Sequence, residues 1–330
     1  MKSFDNISLK AYNTFGIDVK ARRMVVVEPE DSVEQFAALR SLDGGTEAGL
    51  ILGGGSNMVF TKDYDGTVVT LSRESACPVC QSTLVTAWGG MVMDDLVRWT
   101  LDNGLYGMEN LSAIPGTVGA SAVQNVGAYG AEAKDFVESV EAYDLKDGYL
   151  CTFSNADCRF AYRYSMFKDV PGRYLILRVT FRLKKEYAPN LSYKALEGLP
   201  HATAGELRQA ITELRWGKLP RPEEHGSAGS FFKNPVVEEE VYMRLRQQYA
   251  DMPDAHPSAG GYKLSAGWLI DRAGWKGRTQ GGAGVWPKNA LVLYNAGACT
   301  GNEVRSLANA IQQDVKQKFG VELEPEAIII

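Results

Sequence analysis

The chain has only three histidines in 330 residues and no excess of positive charge, its 35 Lys and Arg being outnumbered by 40 Asp and Glu. Holding nucleic-acid phosphates takes a concentrated basic face, so a net charge of −5 argues against a nucleic-acid partner. A local pocket of Lys and Arg for one anionic ligand stays compatible with that balance. Long apolar runs are missing too, and none approaches the about 20 residues of a membrane span. The opening Met1-Lys2-Ser3-Phe4-Asp5-Asn6 has no basic segment leading into an apolar stretch, so neither a secretory signal nor a membrane partner is expected. The five cysteines make an odd count, which argues against a disulfide framework. Cys77 and Cys80 form a lone C-x-x-C; a zinc site would want a second pair or nearby histidines, so no metal is expected. Cytoplasm is the simplest compartment, and a monomer is expected.

What is present is ordinary globular material, 45% hydrophobic and 23% charged, in a chain long enough for two or three domains. Arg23-Met24-Val25-Val26-Val27 reads as a strand, and Ser32 as the N-cap of a helix carrying Val33, Phe36, Ala37 and Leu39. Leu50-Ile51-Leu52 is a short buried strand running into glycines, and Thr67-Val68-Val69-Thr70-Leu71 is another. Leu84 to Trp88 forms a strand that ends at Gly89-Gly90. Asp94 and Asp95 suit the positive start of a helix with Leu96, Val97, Thr100 and Leu101 on one side. Between Tyr174 and Leu183, alternation puts Leu175, Leu177, Val179, Phe181 and Leu183 on one face of an antiparallel strand, with Ile176, Arg178, Thr180 and Arg182 on the other. The prolines of Lys218-Leu219-Pro220-Arg221-Pro222 mark a domain boundary. Beyond them come a helix with Val241, Leu245 and Tyr249, and a last helix with Leu307, Ile311, Val315 and Phe319 in a stripe. The elements mix without a regular βαβ alternation, so the fold class is α+β.

Two segments are rich in small residues. One is Gly53-Gly54-Gly55-Ser56-Asn57. The other is Ile114-Pro115-Gly116-Thr117-Val118-Gly119-Ala120-Ser121, continuing through Asn125-Val126-Gly127-Ala128-Tyr129-Gly130. Where side chains are missing, backbone amides can reach phosphate oxygens, and two such loops would clasp one diphosphate from two sides. Each loop alone also reads as a set of turns. Neither matches G-x-G-x-x-G nor carries a P-loop lysine, so the surviving ligand reading is a dinucleotide held outside a Rossmann fold.

These loops, with Asn13-Thr14-Phe15-Gly16, Cys158-Arg159-Phe160-Ala161-Tyr162-Arg163 and Gly226-Ser227-Ala228-Gly229-Ser230-Phe231-Phe232-Lys233-Asn234-Pro235, resemble the UDP-N-acetylenolpyruvoylglucosamine reductases. Ser165, Phe167, Lys168, the run from Lys263 to Asp271 and the terminal Leu323-Glu324-Pro325-Glu326 continue the likeness in the family's order. The resemblance implies a two-part FAD-binding region of the vanillyl-alcohol-oxidase (PCMH) type, residues 1–72 and 73–218. A C-terminal α+β substrate-binding domain would follow at 219–318, with a tail at 319–330 returning to the active site. It implies non-covalent FAD, NADPH as hydride donor, and UDP-N-acetylglucosamine enolpyruvate as substrate in peptidoglycan precursor synthesis. Hydride would add to C3 of the enolpyruvyl ether, charge would build at C2 and in the carboxylate, and a proton would reach C2.

By resemblance, Arg163 and Glu326 stabilise that charge and Ser230 donates the proton. Tyr193, Lys218, Asn234 and Lys263 hold the substrate, Tyr193 from a loop over it. Gly53, Gly54, Gly55, Ser56, Asn57, Pro115, Gly116, Thr117, Gly119, Ala120, Asn125, Gly127, Ala128, Tyr129 and Gly130 bind FAD. Tyr164 departs from the family, whose members often carry Asp there, and puts the local hydrogen bonding near Arg163 in question. Two other functions stay open on sequence: a flavin oxidase of the same fold, and a non-catalytic nucleotide- or sugar-binding protein. The first often attaches FAD through His or Cys, and no histidine lies in the glycine loops. The second leaves Arg163, Ser230 and Glu326 without a joint purpose.

Overall fold

A computed structural model describes residues 1–40, 49–74 and 77–330, which divide into two compact units. The first comprises Met1–Ile7, Ala21–Gly54 and Tyr64–Arg215; the second comprises Ser8–Lys20, Gly55–Asp63 and Trp216–Ile330. Both combine helices with mainly antiparallel sheets, an α+β architecture.

One sheet of the first unit has the strand order Lys2–Ser8, Lys20–Val27, Tyr64–Leu71, Leu50–Leu52. Tyr64–Leu71 runs parallel to the strands on both sides of it and is buried on both faces from Thr67 to Thr70. That burial explains why its sequence is a continuous β-branched run rather than an alternation. Ser32 and Gln35 close a capping box at the start of the short helix Val33–Phe36. The helix packs Phe36, together with Leu39 beyond it, against Val25, Val27 and Val69, while Val33 and Ala37 face outward.

The second sheet is antiparallel throughout, in the order Tyr149–Ser154, Val137–Asp144, Tyr174–Arg182, Leu84–Trp88, Val79–Gln81. Here the expected alternation is broken. Between Glu141 and Ala142 the partner jumps from Arg178 to Ile176, leaving Leu177 as an extra residue. The bulge reverses which face each later side chain takes. Leu175 and Leu177 join the core shared with Val25, Val27 and Val69. Ile176 instead packs with Val179, Phe181 and Leu183 against the helices Met93–Asp102 and Val118–Gln124. Arg178 and Arg182 point outward and pair with Glu141 and Glu138 across the strands.

In the second unit the helix Gly301–Phe319 buries Leu307, Ile311, Val315 and Phe319 along one stripe. Thr300 and Glu303 form its capping box, and Gly320 ends it at φ +70°. Ser227–Ser230, Val292–Asn295, Ala283–Val285 and Thr279–Gln280 form one sheet of this unit. Val236–Val237, Gly261–Lys263 and His256–Ser258 form a smaller one. Leu245 is buried on the helix Glu239–Gln248, and Tyr249 follows it to pack edge-on against Trp268 and Phe319.

Candidate functional site

In the first unit the strand Leu50–Leu52 delivers Gly53 and Gly54 onto the segment that opens the helix Val118–Gln124. A Cβ on Gly54 would stand 2.6 Å from Gly116 Cα, and one on Gly53 2.9 Å from Ala120 Cβ. The two backbones therefore touch where side chains would hold them apart. Gly119 N–H is committed to the Gly89 carbonyl at 2.8 Å, and Ala120 N–H faces the Thr117 hydroxyl at 3.4 Å. The amides of Gly54, Gly116 and Thr117 donate to no backbone carbonyl among the described residues. The Arg73 guanidinium approaches the Gly54 carbonyl at 3.5 Å and adds positive charge. Uncommitted amides on two abutting turns beside a cation are the donor set a diphosphate requires, so these residues fit a dinucleotide cofactor.

The rest of the second glycine-rich segment does different work. Gly127–Ala128 pairs with Ala131–Glu132, and Tyr129 and Gly130 form the hairpin tip at φ +51° and +83°. Its carbonyls are occupied: Arg163 donates to Gly127 O at 3.1 Å, Asn110 to Tyr129 O at 2.7 Å and Asn190 to Gly130 O at 3.1 Å. Asn125, left-handed at the end of the helix Val118–Gln124, donates to Ala161 O at 2.8 Å and so ties the helix to the turn that carries Arg163.

That turn is closed by two hydrogen bonds between Ala161 and Tyr164, at 3.0 and 3.1 Å. Arg163 sits in it at φ +53°, a region that costs a residue with a Cβ roughly 1–2 kcal/mol. The Lys168 ammonium donates to the Arg163 carbonyl at 3.0 Å and to Gln124 Oε1 at 2.9 Å. Tyr164, at the family departure, donates its hydroxyl to the Asp169 carboxylate at 2.7 Å, and Arg159 reaches the same carboxylate at 2.7 Å. The substituted residue thus finds its own partner and leaves the turn closed.

Tyr193 packs edge-on against Tyr129 with ring centroids 5.5 Å apart, and is 45% exposed. Burial pushes the Tyr129 phenol up, opposed by the nearby Arg215 guanidinium. Burial in turn lowers Arg215; Tyr129 opposes the shift and Arg163 adds to it. Among the described residues the buried Nε of Arg215 has no hydrogen-bond partner. Two guanidiniums beside two phenols make an environment suited to an anionic oxygen ligand.

In the second unit Ser230 ends the strand Ser227–Ser230, opposite Val292, with its side chain exposed. The residues after it run beside the end of the chain. Phe232 bridges to Pro325, Lys233 N–H bonds Glu324 O at 2.9 Å, and Glu326 N–H bonds Phe231 O at 2.7 Å. Asn57 donates its side-chain amide to Glu326 O at 3.1 Å and accepts from Ile328 N–H at 2.9 Å. The fully buried Phe231 and Phe232 anchor this knot, which brings Ser230, Glu326 and Asn57 together. Thr14 adds a tie: its hydroxyl donates to Ser227 O at 2.6 Å and its N–H to Gly55 O at 3.1 Å. A Cβ on Gly226 would meet Phe15 O at 2.2 Å, so this approach admits only glycine. Asn234 accepts from Ala266 N–H at 3.0 Å at the start of the helix Ala266–Arg272. Lys263 lies close by, since Leu264 N–H bonds Pro235 O at 2.9 Å. Lys218 is exposed at the end of the helix Ala204–Lys218.

Arg163, Tyr193, Gly53, Gly54 and the 115–130 residues thus belong to the first unit, and Gly55, Ser56, Asn57, Lys218, Ser230, Asn234, Lys263 and Glu326 to the second. Sequence reading missed the parts played by Thr14, Asn110, Gln124, Lys168 and Arg215. Thr14 and Lys168 stood inside quoted motifs without visible chemistry. The buried position of Asn110 has no periodic signature.

A domain family described as "UDP-N-acetylenolpyruvoylglucosamine reductase, C-terminal domain" matches residues 221–330, and one described as "FAD binding domain" matches residues 24–154. Over 98% of this chain and 97% of the relative, the sequence is 46% identical to a UDP-N-acetylenolpyruvoylglucosamine reductase of Pseudomonas aeruginosa. It is 45% identical to that of Neisseria gonorrhoeae over 96% of this chain and 94% of the relative. Among solved structures, a UDP-N-acetylenolpyruvylglucosamine reductase from Thermus caldophilus matches with a TM-score of 0.70 at 24% identity. It covers 99% of this chain and 98% of its own.

Proposed function

This chain belongs to the UDP-N-acetylenolpyruvoylglucosamine reductase family, and from that premise we propose that it reduces UDP-N-acetylglucosamine enolpyruvate to UDP-N-acetylmuramate in peptidoglycan precursor synthesis. The observation that carries the proposal is the knot in which Glu326 N–H bonds Phe231 O beside Ser230. It joins two residues, far apart in sequence, that this reaction needs close together. The amides of Gly54, Gly116 and Thr117, with Arg73, would hold the diphosphate of FAD. Bound there, FAD would supply the hydride for C3 of the enolpyruvyl ether, with NADPH as its source.

The chain's own residues handle the charge and the proton. Arg163 presents a planar fork of donors to the substrate carboxylate, whose negative charge rises as the vinyl group is reduced. The interaction strengthens toward the transition state and so lowers the barrier as well as aiding binding. Ser230 delivers its hydroxyl proton to C2. Serine is a weak acid, and its pairing with Val292 together with the Glu326–Phe231 bond fixes the backbone from which it acts. Glu326 supports the anion when protonated or through a hydrogen-bonded neighbour. Tyr193, Lys218, Asn234 and Lys263 hold the UDP part, Lys218 supplying charge to the diphosphate.

Incubation with NADPH and the enolpyruvyl sugar tests the reaction: a product heavier than the substrate by two hydrogens by mass spectrometry supports it. NADPH oxidation that needs only oxygen would point to a flavin oxidase instead. Lys218→Ala should raise KM for the sugar about 10–100-fold, the worth of one charged hydrogen bond, with flavin reduction by NADPH unaffected. Slowed flavin reduction with an unchanged KM would contradict this placement.

A further inference from the structure

We infer that Lys168 is a positioning residue for Arg163, a role that rests on the reading of Arg163 as the carboxylate-binding group. Arg163 holds a left-handed backbone, φ +53°, in a sequence position without a glycine. Such a conformation persists only where its surroundings over-determine it. The closing bonds between Ala161 and Tyr164 fix the turn, and Asn125 ties its Ala161 carbonyl to the end of the helix Val118–Gln124 at 2.8 Å, but these bonds do not hold the Arg163 peptide itself. Lys168 does. Its ammonium donates to the Arg163 carbonyl at 3.0 Å and to Gln124 Oε1 at 2.9 Å.

Gln124 is the last residue of the helix Val118–Gln124, and Thr117, in the glycine cradle, is that helix's N-cap. Lys168 therefore links the peptide of Arg163 to the element that begins at the proposed cofactor loop. Phe167, buried beside it, and Ser165, whose hydroxyl bonds Val123 O at 2.6 Å, hold the Lys168 segment against the same helix. The side chain of Arg163 has its own tether in the Gly127 carbonyl at 3.1 Å. Lys168 acts on the backbone from which that side chain starts. Its ammonium makes charge-assisted bonds, stronger than neutral ones.

The direction of the effect follows. With the Lys168 tie gone, the guanidinium is less well placed for a carboxylate whose charge is still growing. Misplacement of about 1 Å is enough to cost on the order of 100-fold in rate. The cost falls on the step that charges the carboxylate, and reduction of the flavin by NADPH does not involve it.

Lys168→Met, which keeps the length and removes the charge, should slow flavin reoxidation by the enolpyruvyl sugar by about 10–100-fold. Flavin reduction by NADPH should keep its rate. Calorimetric binding of the sugar to the oxidised protein should weaken by far less than the rate. In an Arg163→Ala background the same substitution should add little, because the group it positions is gone. Gln124→Leu, which removes the side-chain oxygen that accepts from Lys168, should reproduce the pattern more weakly, and decides the matter if Lys168→Met fails to fold. Equal slowing of both half-reactions, a full additional loss in the Arg163→Ala background, or a folded Gln124→Leu protein reoxidised at the normal rate would overturn the inference. If the unmodified protein, once reduced, is not reoxidised by the sugar, the proposed function itself fails. Normal reoxidation of the unmodified protein together with unaffected variants removes only Lys168.

Discussion

Ser230→Ala will leave flavin reduction by NADPH at its normal rate and slow reoxidation by the enolpyruvyl sugar by about 10²–10⁴-fold, the usual worth of a positioned proton donor. The expectation rests on separable half-reactions. Nothing in the first needs a proton at C2, and the second cannot finish without one. The substitution removes an exposed hydroxyl from the end of a paired strand and no packed group, so the fold should persist. Stopped-flow absorbance of the flavin reads both steps in one protein. Reoxidation at the normal rate would remove Ser230 from the mechanism, whereas slowing of both steps would mean that the strand had moved.

The second large effect is expected at Gly54. Its missing Cβ would lie 2.6 Å from Gly116 Cα, and backbone cannot swing aside as the end of a side chain can. Gly54→Val should therefore separate the two loops, cost about 1–3 kcal/mol of stability as overpacking does, and yield protein without bound flavin. Gly205→Ala makes the control. That glycine lies in the helix Ala204–Lys218, where among the described residues an added Cβ would meet Thr203 Oγ1 at an ordinary contact distance of 3.9 Å, and the change should be neutral or stabilising by up to about 1 kcal/mol. If Gly54→Val retains FAD with unchanged affinity, the two loops are turns and the diphosphate site lies elsewhere.

The sequence showed the regular elements well where a single period governs them. The stripe from Leu307 to Phe319 is one such case, and the run from Thr67 to Leu71, buried on both faces as far as Thr70, was legible as a continuous apolar stretch. It concealed the bulge at Leu177, because Leu175, Ile176 and Leu177 are all apolar and nothing in the run marks where the faces exchange. Nor does the order of residues reveal that 8–20 and 55–63 belong with the C-terminal part of the chain. That grouping is made by backbone bonds such as Thr14 N–H to Gly55 O and Ser227 N–H to Thr14 O.

The glycine loops were legible as loops, but not as one surface. The approaches of Gly54 to Gly116 and of Gly53 to Ala120 join them, and the hairpin at Tyr129 and Gly130 has its carbonyls held by Arg163, Asn110 and Asn190 instead. Ser230 and Glu326 were visible through family likeness alone. The structure supplies the physical reason for pairing them, a backbone bond from Glu326 to the residue after Ser230. Lys168 had a place in a motif and no reason for it until its two acceptors were seen.

The most direct test of the central claim is an anaerobic titration of the FAD-loaded protein followed by its visible spectrum. NADPH should bleach the flavin, and UDP-N-acetylglucosamine enolpyruvate added next should restore its colour in proportion to the sugar supplied. A flavin that bleaches with NADPH and stays bleached until oxygen is admitted would contradict the proposed reduction.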